Sequence, residues 1–221
     1  VNPLPAEDTQ RLDELSDALG LPITAAQRQH LLAYVEQLAR WNATYNLTAV
    51  RDRDAVWSQH IADCLAVLPA LDRHLATRSE PLRVLDVGSG GGLPGVLLAL
   101  MRPALDVTCV DTVGKKAAFI RQVAGTLGLP NLHAAHSRVE ALRAPPFDLI
   151  TSRAFASLPD FVRLTQPLLS AGGVWLAMKG KHPADEIAGL PAEVAVFHVE
   201  PLAVPGLDAE RCLVWLQPKA P

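Results

Sequence analysis

Residues 82 to 100 read LRVLDVGSGGGLPGVLLAL. An apolar run ends in Asp86, five glycines follow within Gly88–Gly95, and a second apolar run begins. Glycine permits positive φ and leaves no side chain between backbone and ligand, so the segment reads as a tight turn pressed against a bound molecule. Gly88, Gly90 and Gly92 have Gly-x-Gly-x-Gly spacing. The dinucleotide fingerprint is Gly-x-Gly-x-x-Gly, and a P-loop would require a following Gly-Lys-Ser/Thr, which is missing. The next apolar run ends in Asp111, about twenty residues on, where an acid can accept hydrogen bonds from both hydroxyls of a ribose. Asp86, just before the turn, favours a ligand with positive charge over a pyrophosphate. S-adenosylmethionine meets these conditions, with a sulfonium, an ammonium and an unphosphorylated ribose. NAD(H) is the alternative for the same features.

These residues must be positioned by the elements around them. From Leu82 onward short apolar runs alternate with helical segments: LRVLDV, GVLLALM, DVTCVD, KKAAFIRQVAGTL, NLHAAH, FDLITS, LPDFVRLTQPLL and GGVWLAM. Strand and helix in alternation specify a mostly parallel sheet with helices on both faces. VAVFHV and RCLVWLQ close the chain without a helix between them and suit an antiparallel pair at the sheet edge. In such a sheet ligands bind beyond the carboxyl ends of the strands, where the glycine turn falls. Pro94 suits the first turn of the helix that follows.

Residues 1–76 read as a helical extension preceding a unit at 81–221, with the polar ATRSEP, residues 76–81, as the join. Leu12, Leu15 and Leu19 have helical spacing, and Gly20 is placed to stop that helix. Thr24 and Gln27 form a capping box ahead of one apolar stripe of Leu31, Leu32, Val35, Leu38 and Ala39. A third helix is expected from Asp54 to about Leu68, ending before Pro69.

Composition narrows the classes. In 221 residues, 49% are hydrophobic and 19% charged, with a net charge of −3, an ordinary globular balance. No apolar run reaches the ~18 to 20 residues of a membrane span, and VNPLPAEDTQ has no basic-then-apolar leader pattern. Cys64, Cys109 and Cys212 are too few and too far apart for a disulfide framework or a metal knuckle, and the seven histidines show no zinc-ligand spacing. The expectation is a reducing, cytoplasmic setting with no metal.

The segment LDVGSGGGLPG resembles motif I of class I S-adenosylmethionine-dependent methyltransferases. WNATYNLTAVRD, HIADCL, DTVGKKAAFIRQV, HSRVE, SRAFASL and MKGK follow in order around it. Together they resemble the bacterial small-subunit ribosomal RNA methyltransferase G family, from about Gln27 to Gln217. The resemblance implies a Rossmann-like α/β class I methyltransferase fold: a seven-stranded, mostly parallel sheet with an antiparallel edge hairpin, behind an N-terminal helical extension. It implies S-adenosylmethionine as cofactor, 16S ribosomal RNA or the small subunit as partner, and methylation of one guanine N7 in the decoding region. A monomer is expected.

Carried onto this chain, the family's cofactor contacts fall on Gly88, Leu93, Val139, Glu140 and Arg153, with Asp111 as the ribose acid. Arg153 is also the residue expected to orient the reacting groups. Gly91 stands where members often have Ala or Pro, and Cys64 where they have Ser. Structural readings stand beside the functional ones. Arg153 can be an ion-pair partner, Glu140 a helix-surface acid, and Asn42, Tyr45 and Asn46 the terminators of the second helix. Lys115 and Lys116 can be a solvated face, and His60 and Asp63 a local helix pair. On an acidic chain an RNA-binding face requires segregated charge. Arg40, Arg51 and Arg53, with Lys115, Lys116, Arg121, Lys179 and Lys181, are the candidates. A small-molecule methyltransferase and a non-enzymatic RNA-binding module on the same fold remain the alternative functions.

Overall fold

Helix boundaries follow local chemistry. In the computed structural model, which describes residues 6–76 and 82–219, α1 spans Ala6–Leu19 and stops at Gly20, whose φ is +57°. The expected join at 76–81 lies outside the described residues beyond Ala76. Helix α2 spans Ala25–Tyr45. Thr24 and Gln27 form its reciprocal capping box, and Asn46 ends it in the left-handed region at φ 51°, a role asparagine fills at little steric cost.

The third helix differs from expectation. It is broken into α3, Arg53–Val56, a π-helical turn at Trp57–Ala62, and α4, Asp63–Leu65. Pro69 does not merely end it. It lies in the first turn of a further helix, α5, Leu68–Leu75, where its missing N–H costs nothing.

The alternating half of the chain forms β1 Leu82–Val87, α6 Gly95–Met101, β2 Leu105–Asp111, α7 Gly114–Leu127, β3 Leu132–His136 and β4 Phe147–Arg153. It continues through α8 Leu158–Thr165, β5 Leu169–Lys179, α9 Ala184–Ala188, β6 Val194–Pro201 and β7 Cys212–Pro218. The sheet order is β3-β2-β1-β4-β5-β7-β6. The first five strands are parallel neighbours, and β7 is antiparallel to both β5 and β6. The expected parallel sheet with an antiparallel edge pair is therefore present, with β7 lying inside β6. Helix α9 has no buried residue, so it left no periodic signal to read. Among the described residues no helix is long and apolar enough to cross a membrane.

Two apolar layers sandwich the sheet. One joins the N-terminal helices to it: Leu31, Leu38 and Ile61 share a core with Val84, Val107 and Leu176. The other packs Leu158, Phe161 and Val162 of α8 on Leu85, Ile150 and Trp175. Burying each of these side chains contributes roughly 1.5–3 kcal/mol. Within the first layer Trp41 of α2 packs its ring on Phe119 of α7, and Gln27 donates to the Met101 carbonyl at the end of α6 (3.1 Å). The strand order reverses between β1 and β4, which opens a crevice at their carboxyl ends.

Candidate active site

The turn after β1 lies in that crevice. Gly88, Gly90 and Gly92 have φ of +68°, +58° and +88°, values that L side chains adopt only under strain. The turn is stitched to its surroundings on three sides. Gly88 N donates to Val110 O (2.9 Å), and Leu93 N to Ser89 O (3.0 Å). Gly90 N donates to the Asp111 carboxylate (3.0 Å). The buried Tyr34 hydroxyl of α2 donates to Gly91 O (2.8 Å). A Cβ at Gly91 would lie 2.9 Å from Leu38 Cδ1, so Leu38 fills the space a side chain would need there.

Two cavities meet at Gly88 and Ala154. The larger, about 480 Å³, is bounded by the glycine turn, Leu93 and Arg153, with Thr48, Gln59 and Arg211 opposite. The smaller, about 220 Å³, is bounded by Asp111, Val113, Lys116, Val139 and Phe155. Of the six residues singled out from the sequence, Gly88 borders both cavities, Leu93 and Arg153 the larger, Asp111 and Val139 the smaller. Glu140 is exposed on a 3-10 turn, Val139–Ala141, and faces a separate depression with Arg143.

Asp111 ends β2 with both carboxylate oxygens used once, by Gly90 N and by Val113 N (2.8 Å). A carboxylate has about four lone-pair sites, so acceptor capacity remains for a ribose. Ala154 has φ 54° although it is not glycine. The reversal there puts its two neighbours in different cavities, Arg153 in the larger and Phe155 in the smaller. Such strain, on the order of 1–3 kcal/mol, concentrates at functional sites.

Asp86 does not lie where a charged ligand could meet it. It is fully buried beneath the turn, and its Oδ2 accepts from Gly95 N (2.8 Å) at the start of α6. Oδ1 has no partner. Burial pushes its pKa up to about 7, against the opposing pull of the Gly95 hydrogen bond. The folded state therefore holds a proton that the unfolded state has released between pH ~4 and ~7. Over that window the group's contribution to stability falls as pH rises. Between pH ~4 and ~7 the melting temperature should fall less, or rise more, with pH in Asp86→Asn than in the wild type, the two differing by no more than ~4 kcal/mol across the window. Parallel slopes would mean that Asp86 stays ionised throughout.

A network fixes Arg153. Its Nη1 donates to Gln59 O (2.8 Å) and to Asp63 Oδ2 (3.1 Å). Asp63 Oδ1 takes Arg211 Nε (3.0 Å), so one buried carboxylate holds two guanidinium groups. The π-helical turn supplies Gln59 and His60, a geometry often found at functional sites. His60 and Asp63 are not a pair. His60 Nδ1 lies 3.3 Å from Arg153, and its Nε2 lies 2.7 Å from Thr48 Oγ1. Burial, followed by the charge of Arg153, holds the His60 pKa below its ordinary value.

The structural reading of Asn42 and Asn46 fits the geometry. Asn42 bonds Thr48 N (2.9 Å) and Val50 O (2.9 Å), and Asn46 caps α2. Among the candidate cations, Arg53 is ion-paired with Asp8 and Glu36, and Lys179 with Glu186. Lys116 lies 3.8 Å from Asp111. Sequence reasoning missed Tyr34 and Arg211. Arg211 meets Asp63 across 148 positions of sequence, a pairing with no local signal. Among the described residues no group of three or more His, Cys, Asp or Glu side chains is disposed to hold a metal ion.

Known proteins share both the fold and the sequence. TrmN from Thermus thermophilus superposes with a TM-score of 0.56 at 23% identity, over 73% of this chain and 53% of that one. Coclaurine N-methyltransferase, solved with N-methylheliamine and SAH, gives 0.53 at 14% identity, over 92% of this chain and 70% of that one. At those identities the likeness concerns the fold, that of class I methyltransferases. The sequence match is much closer. The ribosomal RNA small subunit methyltransferase G of Acidovorax sp. (strain JS42) is 57% identical over 215 residues, 95% of each chain. The profile described as rRNA small subunit methyltransferase G matches residues 27–214, which take in the helices behind the glycine turn as well as the crevice itself. A match that includes both the turn and the α2 residues gripping it places the chain in the ribosomal RNA small subunit methyltransferase G family.

Proposed function

We propose that the chain transfers a methyl group from S-adenosylmethionine to guanine N7 in the 16S RNA of the small ribosomal subunit. It would act as a monomer in the cytoplasm, with the N-terminal helical residues recognising the substrate. The observation that carries this reading is the pair of cavities joined at Gly88 and Ala154, one beside the Asp111 carboxylate and one lined by two guanidinium groups. The donor set fits the cofactor: spare acceptor sites on Asp111 for a ribose, and a turn at Gly90 where a Cβ would meet nothing within 4 Å. Gly88, Leu93, Asp111 and Val139 would hold it. When bound, S-adenosylmethionine supplies an electrophilic methyl group.

The rest is positioning by this chain. Guanine N7 has an in-plane lone pair and carries no proton, so no general base is needed. His60, with its lowered pKa, stays neutral at physiological pH and need not take a proton. Arg153 and Arg211, held side by side on Asp63, can orient the base through its acceptor edge. The Gln59 carbonyl, on the wall of the same cavity, favours the positive charge that the methylated guanine acquires, while the Asp63 carboxylate is taken up by Arg153 and Arg211. Holding the reacting atoms in line near ~3 Å and excluding solvent accounts for the greater part of such an acceleration.

The deciding experiment is tritiated methyl transfer to unmethylated small subunits followed by nucleoside analysis. Label in 7-methylguanosine supports the reading. Label in another nucleoside, or transfer only to small molecules, overturns it. Asp111→Ala should weaken S-adenosylmethionine binding by roughly 1.5–3 kcal/mol, the range for a hydrogen bond to a charged group, or about ten- to a hundredfold in Kd by calorimetry. An unchanged Kd would remove Asp111 from the ribose site.

A further inference from the structure

A separate hollow of about 410 Å³ opens between α2 and the segment at 48–56, within the roughly 300–1,000 Å³ range of small-molecule sites. Its apolar lining comes from Val35 and Leu38 of α2 and Val56 of α3. Ala39 and Ala43 are exposed and also line it, so small side chains keep its mouth open. No carboxylate lines it, but two guanidinium groups do, those of Arg51 and Arg53. Asp8 and Glu36 already neutralise Arg53. Arg51 is exposed and donates to the neutral Asn46 amide oxygen, so its charge and most of its five N–H groups face outward. The rim is built rather than loose, because Asn42 bonds both Thr48 N and Val50 O. Thr48 is a wall of this hollow and of the 480 Å³ cavity alike.

We propose that this hollow is a second nucleotide subsite, taking the base of a nucleotide that flanks the target guanine, with a phosphate on Arg51. The inference rests on the reading of the chain as a ribosomal RNA methyltransferase. An apolar slot accepts the face of any base, while a guanidinium at its rim suits a phosphate. A shared wall with the reaction cavity puts the slot where the strand on either side of an unstacked guanine must pass. The hollow thereby turns the helical extension into a gauge of the target's neighbours, and an isolated guanine nucleotide cannot satisfy it.

The test measures KM and kcat for unmethylated small subunits, with S-adenosylmethionine affinity by calorimetry in parallel. Ala39→Trp fills the hollow from an exposed position without touching the core, and Ala39→Ser leaves it open. Arg51→Gln removes the rim charge. Arg73→Gln, on the exposed face of α5 where Arg73 pairs with Glu200, removes an equal charge elsewhere. Ala39→Trp and Arg51→Gln should each raise KM tenfold or more, with kcat within about twofold and cofactor affinity unchanged. Ala39→Ser and Arg73→Gln should behave as wild type. A rise in Arg51→Gln alone would reduce the feature to a phosphate contact and overturn the base slot. An unchanged or lowered KM in Ala39→Trp overturns it as well. Failure of the wild type itself to methylate the subunits would overturn the underlying reading instead, which separates the two failures.

Discussion

Gly88→Val abolishes S-adenosylmethionine binding in a protein that still folds. Two physical effects coincide at this position. Its φ is +68°, where a β-branched residue is a genuine outlier and strain runs to roughly 1–3 kcal/mol. A Cβ there would also lie 2.7 Å from Phe155 Cδ2, so the ring must move into the cavity beside Asp111 or the turn must shift. The strain alone is small against the ~5–15 kcal/mol of a typical domain, so melting should remain cooperative. Binding suffers more, because Gly88 lines both cavities and the valine side chain would displace Phe155, a wall of the smaller one. The expected affinity loss exceeds a hundredfold. A saturating ligand that stabilises the wild type by ~2.7 kcal/mol at a hundred times Kd should leave the variant's melting temperature unmoved. Calorimetry giving wild-type affinity would mean that the cofactor takes another path. Gly90→Ala is the milder companion for folding, since a Cβ there meets nothing within 4 Å and adds strain without a clash inside the protein.

Arg153→Ala should lower kcat by about a hundredfold or more while the fold survives. Misplacement of reacting groups by about 1 Å already costs on the order of a hundredfold, and Arg153 is the link between the end of β4 and the π-helical turn. Breaking a buried pair outright costs roughly 3–5 kcal/mol. Asp63 keeps Arg211 at 3.0 Å, so the stability loss should fall below that range. Arg153→Lys should rescue poorly, because a compact ammonium replaces a planar group whose Nη1 serves Gln59 O and Asp63 Oδ2 while Nη2 lies 3.4 Å from His60 Nδ1. Single-turnover kinetics beside a melting curve separates the two readings of this residue. Normal turnover with a lowered melting temperature would make Arg153 an ion-pair partner only.

The residues that make up the turn were legible because their constraint is local. A glycine at positive φ, a capping box at Thr24 and Gln27, and apolar runs of period two or 3.6 are properties of a few neighbouring residues, and each is where the spacing puts it. The same is true of Asp111, whose place at a strand end follows from the length of the run before it. Misread features depended on distant atoms. Asp86 looked like a ligand contact, but packing buries it under the turn against Gly95 N. Pro69 looked like a stop and is a start, because the chain bends two residues earlier. His60 and Asp63 looked like partners along one helix. No hydrogen bond joins them across the π-helical turn, and Arg153, ninety positions on, contacts both, 3.3 Å from His60 Nδ1 and 3.1 Å from Asp63 Oδ2. Arg51 and Arg53 are near neighbours of one charge in the sequence, yet Asp8 and Glu36 claim one and leave the other facing outward. Local sequence thus determined the glycine turn, the alternation of strand and helix and hence the class of fold. The tertiary structure alone decided which charges are spent on ion pairs, which carboxylate is shut away from solvent and which side chains close the cavity, because those depend on contacts between residues that the sequence holds far apart.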